Sequence, residues 1–246
     1  METAQISLQL YSLRRQVSQN LAETLASVAR LGYELVEPYG FVDRAAELSA
    51  ALTANGLSAP SAHAPLVTAA DVRPTFAAAA SLAVGVVIEP TVPAEFWRSR
   101  EDVEKTASCL NELVGTAAEF GLRIGYHNHD WEFHQRLRGQ SAYEYFTDLL
   151  HPDVVLEVDT YWATVGGAPT AELLRQLGSR VEFLHLKDGP LNWDLPAQVA
   201  LGTGSLPLAE ILAAAPHALR IVEFDDFAGD VMIPIGESLA HLEALG

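Results

Sequence analysis

Short apolar runs that end in polar residues recur along the second half of the chain. They are Gly125-Tyr-His-Asn-His-Asp-Trp-Glu-Phe133, Leu156-Glu-Val-Asp-Thr160, Phe183-Leu-His-Leu-Lys-Asp188 and Ile221-Val-Glu-Phe-Asp-Asp226. Side chains of a strand alternate between two faces, so the parity of each run can be checked. His127 and His129 share a face opposite Ile124 and Tyr126, Glu157 and Asp159 oppose Leu156 and Val158, His185 and Lys187 oppose Leu184 and Leu186, and Glu223 and Asp225 oppose Val222 and Phe224. Polar residues gathered on one face at strand C-termini are the arrangement expected at the mouth of a parallel barrel.

The first half carries the same alternation of strand-like and helix-like segments. Ile6 to Tyr11 reads as a strand, Asn20 to Arg30 as a helix stopped by Gly32, Tyr33 to Glu37 as a strand, and Ala45 to Ala54 as a helix closed by Asn55-Gly56. Ser58 to His63, an Ala-rich helix from Ala69 to Leu82, Gly85 to Glu89 and a helix from Arg100 to Phe120 lead into the His127 strand. Helices at Ser141 to Leu150, Thr170 to Leu177, Leu206 to Ala214 and Glu237 to Leu245 separate and follow the remaining strands. The repeat is roughly one strand-helix unit per 30 residues, or about eight units. No Gly-x-Gly-x-x-Gly turn follows the first strand, and the polar strand ends are spread along the chain, which favours a closed α/β (β/α)8 TIM barrel over a doubly wound open sheet. No linker, low-complexity tract or charge run marks a boundary, so residues 1–246 read as one domain.

Composition narrows the partners. The formal net charge is −17, with 32 acidic against 15 basic residues, a balance that repels polyanions and argues against nucleic acid. No window is apolar enough for a membrane span and no basic-then-apolar leader opens the chain, so a cytoplasmic protein is expected. The single cysteine, Cys109, lies in a helical pattern among Ala and Leu and reads as a small buried hydrophobe rather than a nucleophile.

The ends of strands five to eight bring together His127, Asp159, His185 and Glu223. Two imidazoles and two carboxylates suit one divalent metal, Mn²⁺, Co²⁺, Zn²⁺, Fe²⁺ or Mg²⁺. His129 shares the face of His127 and is the alternative ligand. Lys187 can hold an oxyanion or transfer a proton, or it is a solvated loop lysine. Glu132 either closes the site or lies on the surface. Gln9, Glu37, His63 and Glu89 end strands on the other half of the ring and read as contacts to substrate hydroxyls. Trp131 and Trp162 follow the fifth and sixth strands, where their rings stack on a sugar or pack the loops. Glu157, one layer deeper, reads as structural and paired with a base such as Arg123. Gly202-Thr-Gly204 precedes a helix and is either an anion-binding turn or a tight loop.

Taken together, Ile6-Ser-Leu-Gln-Leu-Tyr-Ser-Leu-Arg14, Gly32-Tyr-Glu-Leu-Val-Glu37, Ser61-Ala-His-Ala-Pro65, Tyr126-His-Asn-His-Asp-Trp-Glu-Phe133, Val158-Asp-Thr-Tyr-Trp162, His185-Leu-Lys-Asp188, Leu201-Gly-Thr-Gly204 and Glu223 resemble the xylose-isomerase-like TIM-barrel superfamily. That group holds sugar isomerases and epimerases, inosose dehydratase-like proteins and zinc AP endonucleases. The resemblance implies that Asp159, His185 and Glu223 are metal ligands. In the ketose 3-epimerases of the group the fourth ligand is a glutamate at the end of strand five; this chain has His127 there and lacks one of the two proton-transfer carboxylates. The AP-endonuclease pattern also fails, since Asp159-Thr-Tyr-Trp162 and Asp194-Leu-Pro196 stand where further zinc ligands are required.

The expectation is a metal-dependent isomerase or epimerase of a sugar, keto-sugar or sugar phosphate acting through an enediolate. Glu223 would be the base, with His127, His129 or Lys187 the acid. A lyase on a keto-polyol shares the first proton abstraction, and a catalytically silent sugar-binding barrel is the non-enzymatic alternative. The expected partner is a small carbohydrate.

Overall fold

The computed structural model describes residues 5–245. Eight parallel strands run as β1 Ile6–Gln9, β2 Leu35–Glu37, β3 Ser61–His63, β4 Val86–Glu89, β5 Arg123–His127, β6 Val155–Asp159, β7 Val181–Leu186 and β8 Leu219–Val222. Their spatial order is β2-β1-β8-β7-β6-β5-β4-β3, each pair in parallel register. The two ends of this order meet through the bridges Leu35 to Ser58 and Tyr39 to His63, with Val36 N–H donating to Ser58 O at 2.9 Å and His63 N–H to Pro38 O at 2.8 Å. The barrel is closed by these backbone bonds, so no strand edge is left there to be covered.

The surrounding helices follow local capping chemistry. Asn20 accepts from Glu23 N–H at 3.1 Å to start Leu21–Leu31, and Gly32 ends it at φ 109°, a left-handed conformation that glycine adopts without a Cβ penalty. Ser99 with Asp102 and Ser141 with Glu144 form capping boxes at the starts of Arg100–Glu119 and Ala142–Leu149. The Ala-rich helix is shorter than its composition suggests, Arg73–Ser81, because Pro74 lies in its first turn, where a missing N–H costs nothing. Two short helices, Trp131–His134 and Thr160–Val165, follow β5 and β6 directly, and a ribbon pairs Arg136–Leu137 with Gln140–Ser141; periodicity does not predict these. Among the described residues no helix is long and apolar enough to cross a membrane.

Inside the barrel, the strand parity separates two layers. The lower is apolar and built by Val86, Ile88, Val155, Phe183 and Ile221. The upper consists of polar residues at the C-terminal ends. The outward faces of the strands pack against the helices in a larger apolar shell that includes Leu8, Val36, Val87, Ile124, Leu156, Leu184 and Val222.

Gly125 lies where β4, β5 and β6 approach closely inside the barrel. A Cβ added there would lie 2.5 Å from Ile88 Cδ1 and 2.9 Å from Val155 O. Gly125→Ala is expected to destabilise the fold by about 1–3 kcal/mol, the usual cost of overpacking a filled core. Adding Ile88→Val, which removes the clashing Cδ1, should recover part of the loss in a calorimetric melt. An alanine variant that melts with wild type would mean that β4, β5 and β6 are not packed this closely.

Candidate functional site

The upper layer is a continuous network of buried ions. Glu157 Oε2 lies 2.6 Å from His63 Nε2, 3.0 Å from His127 Nδ1 and 3.2 Å from His185 Nε2. Glu37 Oε2 lies 2.6 Å from His185 Nε2 and 3.1 Å from His63 Nε2; it also accepts from Gln9 Nε2 at 2.8 Å, while Ser61 Oγ donates to Glu37 Oε1. Toward the mouth, His185 Nδ1 lies 2.8 Å from Glu223 Oε2, and Lys187 Nζ lies 2.6 Å from Asp159 Oδ2, 2.7 Å from Glu223 Oε2 and 3.1 Å from Asp225 Oδ1. Asp159 Oδ1 accepts from Trp162 N–H at 2.8 Å and so caps the helix after β6, and the Asn128 amide is paired with the Asp159 backbone in both directions.

Burying ions costs several kcal/mol each unless they are paired, and the pairing here sets the ionisation of each group. Burial pushes the Glu37 carboxyl up, but His63 and His185 outweigh it and hold the group well below the ordinary carboxylate range. Burial opposes charge on His63 as well, yet Glu37 and Glu157 raise it to about 10; His185 is raised well above its ordinary value by Glu157, Glu223 and Glu37. His127 goes the other way, lowered by burial and by the neighbouring His185 and His63, and is neutral. Burial raises Asp159 to about 6 against the pull of Lys187.

Within this network, one ligating atom each from His127, Asp159, His185 and Glu223 lies within 4.8 Å of all the others; a second set, His63, His127, Glu157 and His185, meets the same limit lower in the barrel. The upper set fits a metal better by its surroundings. Glu157 holds His127 Nδ1 and Glu37 holds His185 Nε2, which leaves His127 Nε2 and His185 Nδ1 facing Asp159, at 3.7 Å, and Glu223, at 2.8 Å. An imidazole whose far nitrogen is fixed by a carboxylate is the usual outer support of a metal ligand. Lys187 shares the Asp159 and Glu223 oxygens with that set.

Above the network opens a cavity of about 490 Å³. Its polar floor includes His63, His127, Lys187 and Glu223, and its rim includes Tyr11, Tyr39, Pro65, Pro90, Arg14, Asp225 and Asp226. His129 also lines it. The His129 ring stacks on Trp131 at 4.3 Å, its Nδ1 is buried without a hydrogen-bond partner, and burial, then Lys187, lowers it to about 3.

A sequence model of the xylose isomerase-like TIM barrel matches residues 25–218. The chain belongs to the xylose isomerase-like TIM barrel family. No protein of curated function matches it by sequence. Among solved structures of this fold, a sugar phosphate isomerase/epimerase from Parabacteroides distasonis superposes with a TM-score of 0.80 at 21% identity, covering 99% of this chain and 95% of its own. A probable 3-DHS dehydratase from Bacillus anthracis superposes with a TM-score of 0.75 at 12% identity over 97% and 98% of the two chains. The IOLI protein with a zinc atom gives 0.73 at 14% identity over 98% of each.

Several residues sit elsewhere than the sequence of this barrel-family member suggests. Glu89 is not at the cavity: β4 turns Val86 and Ile88 inward and Glu89 outward, where its Oε2 accepts from Leu66 and Val67 N–H at 2.7 Å each and anchors the loop after β3. Gln9 and Glu37 are fully buried under the floor and bonded to each other, so they support the imidazoles instead of meeting a ligand. Trp131 and Trp162 do not line the cavity; Trp131 backs His129 and donates to Val92 O, and Trp162 packs on Trp193 at 4.3 Å. Glu157 does not pair with Arg123, whose guanidinium clamps Glu182 at 2.5 and 2.7 Å on the lower rim. Cys109 is half-buried, 3.8 Å from Val67 O. His63 lines the cavity from the end of β3; Tyr39 and Asp226 join the rim from loops, and Tyr11 and Arg14 from the helical turns Leu10–Leu13 and Arg14–Gln19, segments whose sequence carries no comparable signal.

Glu132 is neither a lid nor a surface residue. It is fully buried behind β5, accepting from Tyr126 Oη at 2.7 Å and from His129 N–H at 3.0 Å, and burial pushes it up to about 8. A carboxyl raised in the folded state stabilises it fully below the unfolded value, about 4.5, and loses that contribution as pH rises through about 8. Glu132→Gln keeps an acceptor without the charge. Its melting temperature relative to wild type should therefore rise between pH 5 and pH 9; a constant difference across that range would show that Glu132 does not titrate there.

Proposed function

We propose that the protein is a divalent-metal-dependent isomerase or epimerase of a sugar, keto-sugar or sugar phosphate, acting through an enediolate. One observation carries the proposal: His127, Asp159, His185 and Glu223 converge at the barrel mouth with the far nitrogen of each imidazole held by a buried carboxylate. These residues would hold the ion. A divalent cation bound there would supply Lewis-acid polarisation of the substrate carbonyl, which acidifies the adjacent C–H.

The rest of the chemistry belongs to the chain. Both contacts of Glu223 fall on Oε2, from His185 and Lys187, so Oε1 is the oxygen that takes the α-proton. Lys187, held charged well above its ordinary value by Asp159, Asp225 and Glu223 although burial opposes it, keeps its proton at neutral pH and stabilises a developing oxyanion. His129 is neutral and lines the same cavity; its Nδ1 is buried, so the other ring nitrogen is the one available to hold a substrate hydroxyl. Its stack on Trp131 and the Glu132 bond to its backbone fix the ring. The membership of epimerases and dehydratases in one fold supports a shared proton abstraction, with the outcome set by what leaves.

Protein prepared with added metal should hold about one divalent ion per chain, and Asp159→Ala should lose most of it by elemental analysis. Equal, near-zero metal in both would overturn the ligand assignment. Glu223→Gln should retain the fold but slow α-proton exchange by about 10² to 10⁴-fold. The assay is NMR of ketoses, aldoses and keto-polyols in D₂O, where deuterium gained without loss of water marks an isomerase and loss of water a lyase. Exchange at the wild-type rate by the Gln variant would move the base to a neutral imidazole, His127 or His129.

A further inference from the structure

The loop after β7 contains a turn whose amides all point at one place, and the chain fills that place itself. The Asp188 carboxylate, 1% exposed, accepts from Gly189 N–H at 2.8 Å and Leu206 N–H at 3.0 Å on Oδ1, and from Gly202 N–H at 2.9 Å and Gly204 N–H at 3.0 Å on Oδ2. Four converging amides after the seventh strand are what a barrel of this type uses to bind a phosphate ester. Here they hold an internal carboxylate, and Gly204 packs so closely that a side chain on it would overlap Asp188. The Gly202-Thr-Gly204 turn is thus a tight loop around Asp188.

The mouth itself offers little to a dianion. Two cationic side chains other than histidine line the cavity, Arg14 and Lys187. Lys187 is already within 3.1 Å of three carboxylates, and Arg14 donates to Tyr11 O at 3.1 Å, lies over the Tyr11 ring at 4.6 Å and comes to 3.9 Å from Asp226. With Glu223 assigned to the metal, Asp225 and Asp226 still face the same space, so a phosphate beside them meets like charges while Arg14 and Lys187 are engaged. Hydroxyl groups find the opposite: carboxylate oxygens are acceptors for them. The C–H face of a sugar ring finds Tyr11, which is 41% exposed and braced edge-to-face by Tyr39 at 5.3 Å.

We propose that the substrate of this site is an uncharged, unphosphorylated carbohydrate, bound by its hydroxyls to Asp225 and Asp226 and by its apolar face to Tyr11. The assignment rests on the carbohydrate function proposed above and selects among its substrates. The test takes metal-loaded protein and ketoses in matched pairs, each as the free sugar and as its phosphate ester. Dissociation constants come from saturation-transfer NMR, and turnover from α-proton exchange in D₂O. Free sugars should bind about tenfold or more tighter than their esters, and Asp226→Asn should reduce that ratio. Esters that bind as tightly as the free sugars, or tighter, overturn the assignment whatever exchanges. Free-sugar preference with no exchange on any pair leaves it standing and removes the isomerase function instead. Binding of neither form overturns both.

Discussion

A single carboxylate oxygen, Glu157 Oε2, lies within 3.2 Å of nitrogens from three imidazoles contributed by β3, β5 and β7. Much of the upper barrel depends on that contact. It fixes His127 so that its other nitrogen faces Asp159, and together with Glu37 it orients His185 toward Glu223. Removing one partner from such a cluster strands several charges in a medium of low dielectric constant, which is why buried ion networks are costly to break even where their net contribution to stability is small.

The apolar layer beneath sets the geometry of this hub. Val86, Ile88, Val155, Phe183 and Ile221 fill the lower barrel at the density of a core, and Gly125 lets β5 approach β4 and β6 without a side chain in between. The polar residues then stand on a floor that cannot collapse or admit much water. On the outside, Glu132 and Tyr126 lock the segment after β5, and the stacked rings of His129, Trp131, Trp162 and Trp193 make a wall behind one side of the cavity. Packed walls beneath an open rim suit a site that must hold side chains in place while admitting a ligand.

Alternation along the strands made the barrel, and the four polar residues on β5 to β8, legible in the sequence. His127, Asp159, His185 and Glu223 are each the last inward residue, or nearly so, of a run whose parity is visible because its neighbours are apolar. Parity alone says nothing about which residues meet across a closed ring. Glu157 shares a face with Asp159, but its partners come from strands far away in sequence, so a nearby arginine was the natural and mistaken choice. Glu89 fails for a different reason: Val86 to Glu89 is apolar on both faces, as strands of a doubly covered sheet are, and its inward side cannot be told from its outward side. The tryptophans lie on short helices and a loop whose direction depends on packing, and no pattern in the chain specifies it.

The ion network also shapes how the chain reaches its native state. Glu37 and His185 are 148 residues apart and His63 and Glu157 are 94 apart, so the pairs that neutralise the interior span both halves of the barrel. A half-barrel of four strands could satisfy its backbone and much of its outer apolar shell, and could keep Glu37 beside His63 or Glu157 beside His127, yet it would lack the short contacts of Glu37 with His185 and of Glu157 with His63. Such species are penalised until the last strands arrive, and contacts of this sequence separation form slowly because loop-closure entropy is lost before they are gained. The same residues that line the barrel mouth therefore act as a closure check, binding the two halves into one cooperative folding unit.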